Sequence, residues 1–207
     1  MASYLQKYGI VKNPGKASTV FETLFPDIYA IDYDKPSHYI EHCWQKYSGQ
    51  EIQGKVLNGL IFEYILATLL IREELLPFYL QAQVAFVPNI QYDLLLYTAK
   101  YGPICLSAKT SLRERYKQAD LEAIALKYVH RRTKNYLITM NEQEGLSIQT
   151  KIEEGKLIGL DEVIVATTNS FDELIIKLKD YTFSEAPTIE VVKTGLIVTA
   201  AKIGNKT

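Results

Sequence analysis

Four charged residues lie in stretches that are otherwise apolar, and a buried charge is unfavourable unless it is paired or binds a metal. Glu63 is the one charge between Val56 and Ile71, Asp93 interrupts the run IQYDLLLYT, Lys109 closes ICLSAK two residues after Ser107, and Glu122 lies in the basic stretch beyond. Carboxylates beside an ammonium group can pair with one another or hold a hard cation. Mg²⁺ keeps several waters and needs only one or two protein carboxylates. Each residue also has a plainer reading. Asp93 could be an edge-strand residue, Lys109 a strand end reaching for solvent, Glu63 the partner of a buried base, and Glu122 a surface acid paired with Arg115 or Gln118.

The elements that must position these groups are marked mainly by proline and glycine. The first fifty residues carry KNPGK, FPD and DKPS breaks around short apolar pieces, which predicts short helices and loops over the core. From about Glu51 to Glu74 one long helix is expected, apolar nearly all round in its middle and therefore internal. QAQVAFV, IQYDLLLYTA and ICLSAK then read as three strands, with KYGP as a hairpin turn between the second and third. Period-two alternation places Ser107 and Lys109 on one face of their strand, with Cys105 beside them. An antiparallel hairpin brings Asp93 and Lys109 to the same sheet end.

Ser111-Leu-Arg-Glu114 has the form of a capping box and predicts a helix from there to about Arg132. On it Arg115, Gln118 and Glu122 form one stripe beside the apolar line Leu112, Tyr116, Ala119, Ala123 and Leu126. NYLITM is expected to be a strand parallel to the one ending at Lys109, because a helix intervenes. DEVIVAT reads as a further strand, SFDELIIKLKDY as a helix opened by Ser170, and TIEVVKTGLIVTA as two strands around a turn from Lys193 to Gly195. The order αβββαβ defines an α/β protein with a mixed central sheet flanked by helices.

Charge separates the local from the global picture. The formal net charge is -1, which excludes a protein that coats nucleic acid through overall charge. Between Lys109 and Lys134, however, eight bases (Lys109, Arg113, Arg115, Lys117, Lys127, Arg131, Arg132, Lys134) face three acids (Glu114, Asp120, Glu122), and that segment can either meet phosphates or form an ordinary solvated face. The three histidines, His38, His42 and His130, show no nucleophile or ligand spacing, and the fifteen tyrosines form no stacking motif for single strands. Cys43 and Cys105 lack metal spacing, and Cys105 lies in an apolar run, which predicts a reduced core thiol. With 47% hydrophobic residues over 207 positions, a sizeable core and one domain spanning 1–207 are expected. The longest apolar stretch is interrupted by Asn58, Gly59, Glu63 and Thr68 and falls short of the about 20 residues of a membrane span. The N-terminus lacks the order of a signal peptide, so no membrane partner and a cytoplasmic location are expected.

An Asp on one strand, x-x-Lys on the next, a basic helix and a parallel strand together resemble the core of the PD-(D/E)xK nucleases, over roughly Glu51 to Met140. The stretch LSAKTSLRERYKQADLEAIALKYVHRR resembles type II restriction endonucleases in particular. The resemblance implies a restriction-endonuclease-like core in which Asp93 bridges one or two Mg²⁺ ions per site, Lys109 orients or deprotonates the attacking water, Ala108 lends a backbone carbonyl to the metal, and Glu63 joins the cluster. Tyr92 stands where the motif has proline, and Ser107 stands at the second acidic position. A subgroup with the same serine supplies the acid from the next helix. Glu122, thirteen residues after Lys109, then becomes the candidate, ahead of Asp120, Glu114 and Gln118.

The resemblance further implies a prokaryotic homodimer that cuts double-stranded DNA at a short palindromic site and works beside a cognate DNA methyltransferase. Phosphates would be held by Lys109, by Arg113, Arg115, Lys117 and Gln118, and by the Lys127 to Lys134 group including Arg131 and Arg132. Base readout and dimer contacts would come from residues 1–50 and from loops after Asn141, within 141–207. The alternatives are a repair or junction-resolving nuclease on the same core, a noncatalytic DNA-binding module, and an unrelated α/β protein.

Overall fold

The computed structural model describes residues 3–52, 54–187 and 192–204. Four helices come first: α1 (Tyr4–Lys7), α2 (Lys16–Leu24), α3 (Pro36–Ser48) and α4 (Lys55–Arg72). They lead into β1 (Phe78–Val84), β2 (Tyr92–Thr98) and β3 (Gly102–Lys109), then α5 (Arg115–Val129), β4 (Lys134–Thr139), α6 (Glu142–Glu153), β5 (Glu162–Val165), α7 (Asn169–Lys179), β6 (Val192–Val198) and α8 (Ala200–Ile203). The strands form one sheet in the order β5-β4-β3-β2-β1-β6. β1, β2 and β3 are antiparallel neighbours, and β3, β4 and β5 run parallel. This is a mixed central sheet flanked by helices with the expected αβββαβ order of an α/β protein.

Helices cover both faces. Leu94, Leu96, Ile104, Leu106, Ala108 and Ile138 pack in one cluster with Ile61, Phe62, Ile65 and Leu66 of α4 and with Phe171, Leu174 and Ile175 of α7. On the other face Leu95 and Cys105 meet Leu126 of α5, while Leu137 and Val163 meet Leu112, Ala119, Ala123 and Ile148. Strands buried on both sides read as unbroken apolar runs, as LLL and ICL do here. Both cysteines are free and buried. No helix among the described residues is long and apolar enough to cross a membrane.

Three local expectations need correction. The Ser111 to Glu114 capping box does not form: α5 begins at Arg115, and Glu114 occupies the N-cap position without a side-chain cap bond. Arg113 takes φ +37, which breaks the helical path, and the Leu112 N–H instead donates to Glu144 Oε2 of α6 at 2.6 Å. A tertiary carboxylate replaces the local one. The segment directly after Asn141 is the helix α6 rather than a loop, with Asn141 as its N-cap accepting from the Glu144 N–H, and loop follows only beyond Glu153. Finally, Lys193 to Gly195 is not a turn. β6 runs through it, and the first expected strand of that pair falls largely outside the described residues.

Candidate active site

The antiparallel register of β2 on β3 pairs Leu94 with Leu106 and Leu95 with Cys105. One step further along both strands come Asp93 and Ser107, at the end where β2 begins and β3 finishes. There Lys109 Nζ lies 2.6 Å from Asp93 Oδ2, and the Ala108 N–H donates to the same oxygen at 2.8 Å. The pair is largely shielded from water, with side-chain exposures of 21% for Lys109 and 12% for Asp93. The convergence follows from register: the hairpin closes Thr98 on Gly102, and counting back from that turn puts an acid and a base two positions apart across the strands. Ser107 is buried beside them, with no recorded side-chain hydrogen bond among the described residues.

Glu63 reaches this site from α4. Its carboxyl is pushed up to about 8 by burial first and then by the Asp93 charge, against the opposing pull of a hydrogen bond from Gln81 and of Lys109. From the other side, Glu122 of α5 is also raised, chiefly by burial, with the Gln118 hydrogen bond and Lys109 opposing and Asp93 adding. Both glutamates therefore feel Asp93 and Lys109, so three acids and one ammonium share a region of low dielectric. α5 is anchored there by Tyr92, whose hydroxyl donates to the Glu122 carbonyl at 3.1 Å. The residue at the motif's proline position thus ties the strand to the helix.

Other candidates stand elsewhere. Asp120 is buried, and its Oδ1 accepts from the Gly159 N–H at 2.8 Å and the Leu160 N–H at 3.0 Å, a fixed structural task away from Asp93. Glu114 is exposed and pairs with Lys117. Gln118 donates to Glu122 Oε1 at 2.7 Å. Arg113 and Arg115 are exposed at the start of α5, the end nearest Lys109. Arg131 and Arg132 lie past its other end, and Lys127 and Lys134 are engaged with Asp161 at 3.2 and 3.5 Å. The basic segment is therefore split between the two ends of the sheet.

Gln81 was not among the sequence candidates. Its Nε2 donates to Glu63 Oε2 at 2.7 Å. In QAQVAFV it reads as the polar member of an alternating strand, but β1 is irregular there. Gln81 takes φ +49, and the β1–β6 register shifts between Leu80 and Gln83. The inside-outside alternation flips across it: Phe78 and Leu80 pack with α4, whereas Ala82 and Val84 pack in the opposite cluster. A bulge of this kind re-aims a side chain. It leaves no mark in the hydrophobic pattern.

As a donor set, three carboxylates suit a hard dication. Asp93 Oδ1, Glu63 Oε1 and Glu122 Oε2 accept no recorded hydrogen bond among the described residues. Among those residues no group of three or more Asp, Glu, His or Cys is drawn together closely enough to hold an ion by itself. Mg²⁺, which asks for one or two carboxylates and keeps its waters, fits such an arrangement better than Zn²⁺ or a multi-carboxylate Ca²⁺ cage.

No protein-family profile matches the chain, and no curated protein sequence does. Its fold is similar to that of the restriction endonuclease PspGI solved in complex with substrate DNA. The TM-score is 0.52 over 83% of this chain and 84% of that one, at 15% identity. At that identity the likeness establishes the fold alone.

Proposed function

We propose that the protein is a type II restriction endonuclease, a Mg²⁺-dependent hydrolase of phosphodiester bonds in double-stranded DNA. The observation that carries the reading is the contact of Asp93 with Lys109 at 2.6 Å on adjacent strand ends, with Glu63 and Glu122 on either side. On this reading Asp93 and Glu122 hold the metal with Glu63 and the Ala108 carbonyl in support, and Mg²⁺ when bound supplies charge neutralisation at the scissile phosphate. Lys109, fixed by Asp93, holds the attacking water and the phosphate through its Nζ–H donors. Ser107 leaves the space of the second acid to be served from α5.

Two protomers related by a two-fold axis would cut both strands of a palindromic site, and a cognate methyltransferase would protect the host DNA. Arg113 and Arg115 bind phosphate next to the site. The test is incubation of the purified protein with a sequenced plasmid in Mg²⁺ or EDTA, followed by end mapping. Discrete fragments in Mg²⁺ alone support the proposal. Structure-dependent nicking points instead to a repair or junction-resolving nuclease, and DNA binding without cleavage to a noncatalytic module.

A further inference from the structure

Each of the two glutamates that flank Asp93 is met by a single carboxamide. Gln81 Nε2 donates to Glu63 Oε2, and Gln118 Nε2 donates to Glu122 Oε1, both at 2.7 Å. The two glutamines come from unrelated elements, β1 and α5, and approach from opposite sides. We propose that Gln81 and Gln118 are positioning residues that fix Glu63 and Glu122 beside a divalent cation at the Asp93–Lys109 site, where each carboxylate takes the ion or one of the waters it keeps. This rests on the nuclease reading above.

The chemistry of the partner matters. A glutamate left to itself samples many rotamers, and ordering it on metal binding is unfavourable. A hydrogen bond to one oxygen fixes the carboxylate in advance. An amide does this without bringing in a positive charge of its own, and the second oxygen stays available. Lys or Arg in the same place would neutralise the carboxylate and compete with the ion. The site already contains one ammonium, on Asp93. Neutral donors on the other two acids add no second positive charge to compete with the cation.

For Gln81 the backbone is organised to the same end. Its φ of +49 is uncommon for a residue with a side chain, and its carbonyl accepts from Gln91 Nε2 at 3.0 Å. Opposite the bulge, on β6, stands Gly195, where a Cβ would lie 3.1 Å from the Ala82 Cα and 3.2 Å from the Leu80 carbonyl oxygen. A residue without a side chain lets β6 follow the distorted β1. Strained backbone of this kind persists where the surroundings over-determine it.

The test measures Mn²⁺ binding by calorimetry on DNA-free protein, with each variant's melting temperature checked in EDTA. Gln118 is exposed, so Gln118→Met and Gln118→Lys leave the fold unaffected. Gln81→Asn retains an amide and tolerates a left-handed backbone, but is one methylene too short to reach; Gln81→Met is the longer alternative if the bulge relaxes. Loss of an outer partner of a metal ligand typically weakens metal affinity at least tenfold. The expected result is that Gln81→Asn, Gln81→Met and Gln118→Met each raise the Mn²⁺ Kd roughly tenfold. Gln118→Lys, which keeps a donor but cancels the charge, raises it at least as much. A purely structural role for Gln118 predicts that Gln118→Lys binds as wild type does, and that outcome overturns the proposal for Gln118. Unchanged Kd in Gln81→Asn and Gln81→Met, with Asp93→Ala abolishing binding, overturns it for Gln81 while leaving the nuclease reading intact. A wild-type protein that takes up no Mn²⁺, or an Asp93→Ala variant that takes up as much, overturns both together.

Discussion

The separate tasks of neighbouring acids on α5 give the sharpest contrast at the scale of single residues. Asp120 satisfies two backbone N–H groups of the loop before β5, whereas Glu122 feels Lys109 and Asp93. Asp120→Ala should therefore destabilise the protein by about 2–6 kcal/mol, since each of its two orphaned buried donors costs about 1–3 kcal/mol, yet leave cleavage per folded molecule near wild type. Glu122→Ala should do the reverse: near-normal melting, with cleavage reduced by roughly a hundredfold or more, as expected where a metal ligand is removed. Chemical denaturation and a plasmid assay on the same preparations decide between them. If Glu122→Ala cuts normally and Glu63→Ala is inactive, the second ligand comes from α4. Glu63 also sets a pH dependence. Its carboxyl is raised to about 8 in the folded protein, above its ordinary value of 4.5, so the folded state holds a proton that the unfolded state releases. The associated stability is complete below pH 4.5 and is lost as pH rises through 8. In EDTA, the melting temperature of wild type should fall more between pH 5 and pH 9 than that of Glu63→Gln, measured by differential scanning fluorimetry; parallel curves would contradict this assignment of the proton.

At the scale of elements, what was legible in the sequence is what repeats with a period. The long helix α4, the three strands, the KYGP hairpin and the parallel return through β4 all follow from hydrophobic runs and turn residues, and with them the meeting of Asp93 and Lys109. What escaped depends on tertiary partners that a local pattern does not encode. The start of α5 looked self-capped, but its entry is set by Arg113 in a left-handed conformation and by Glu144 reaching from α6. α6 itself has only Gly145 and Ile148 buried, too few apolar positions to announce a helix. Its Gly145 is needed because a Cβ there would stand 2.7 Å from Val165 Cγ2 on β5. Gln81 was hidden by the bulge in β1 and Gly195 by its resemblance to a turn residue, although both belong to one distortion of the sheet. Two consequences are measurable. Glu144→Ala leaves the buried Leu112 N–H unsatisfied and should lower stability by about 1–3 kcal/mol in denaturant unfolding. The same variant should alter cleavage, because it loosens the helix that carries Glu122, whereas Asp120→Ala acts at the loop before β5.

For the molecule as a whole, the proposed function raises the question of where a duplex would lie. A net charge of -1 gives no general attraction, so affinity for phosphate must be local. α5 separates two basic groups: Arg113 and Arg115 at the end beside Lys109, and Arg131 and Arg132 beyond the other. With a rise of 1.5 Å per residue, the fourteen steps of α5 from Arg115 to Val129 span about 21 Å, about the width of a duplex. At the far end, Arg132 and Lys134 act on Tyr101 together with Lys100, and Lys127 and Lys134 are held by Asp161. A duplex seated on Asp93 and Lys109 is therefore reached by the first group and not by the second. Removing one cation that neutralises a phosphate reduces the slope of log affinity against log salt by about 0.9. Arg113→Ala combined with Arg115→Ala should lower the slope by roughly two and weaken binding on all sequences alike. Arg131→Ala combined with Arg132→Ala should leave the slope as in wild type. The comparison uses fluorescence anisotropy of a labelled duplex in Ca²⁺ between 50 and 200 mM salt, conditions in which binding is read without cleavage. A slope that falls equally in both double variants would mean that DNA runs along the whole length of α5, and the duplex would then have to be placed across the sheet face rather than at its end.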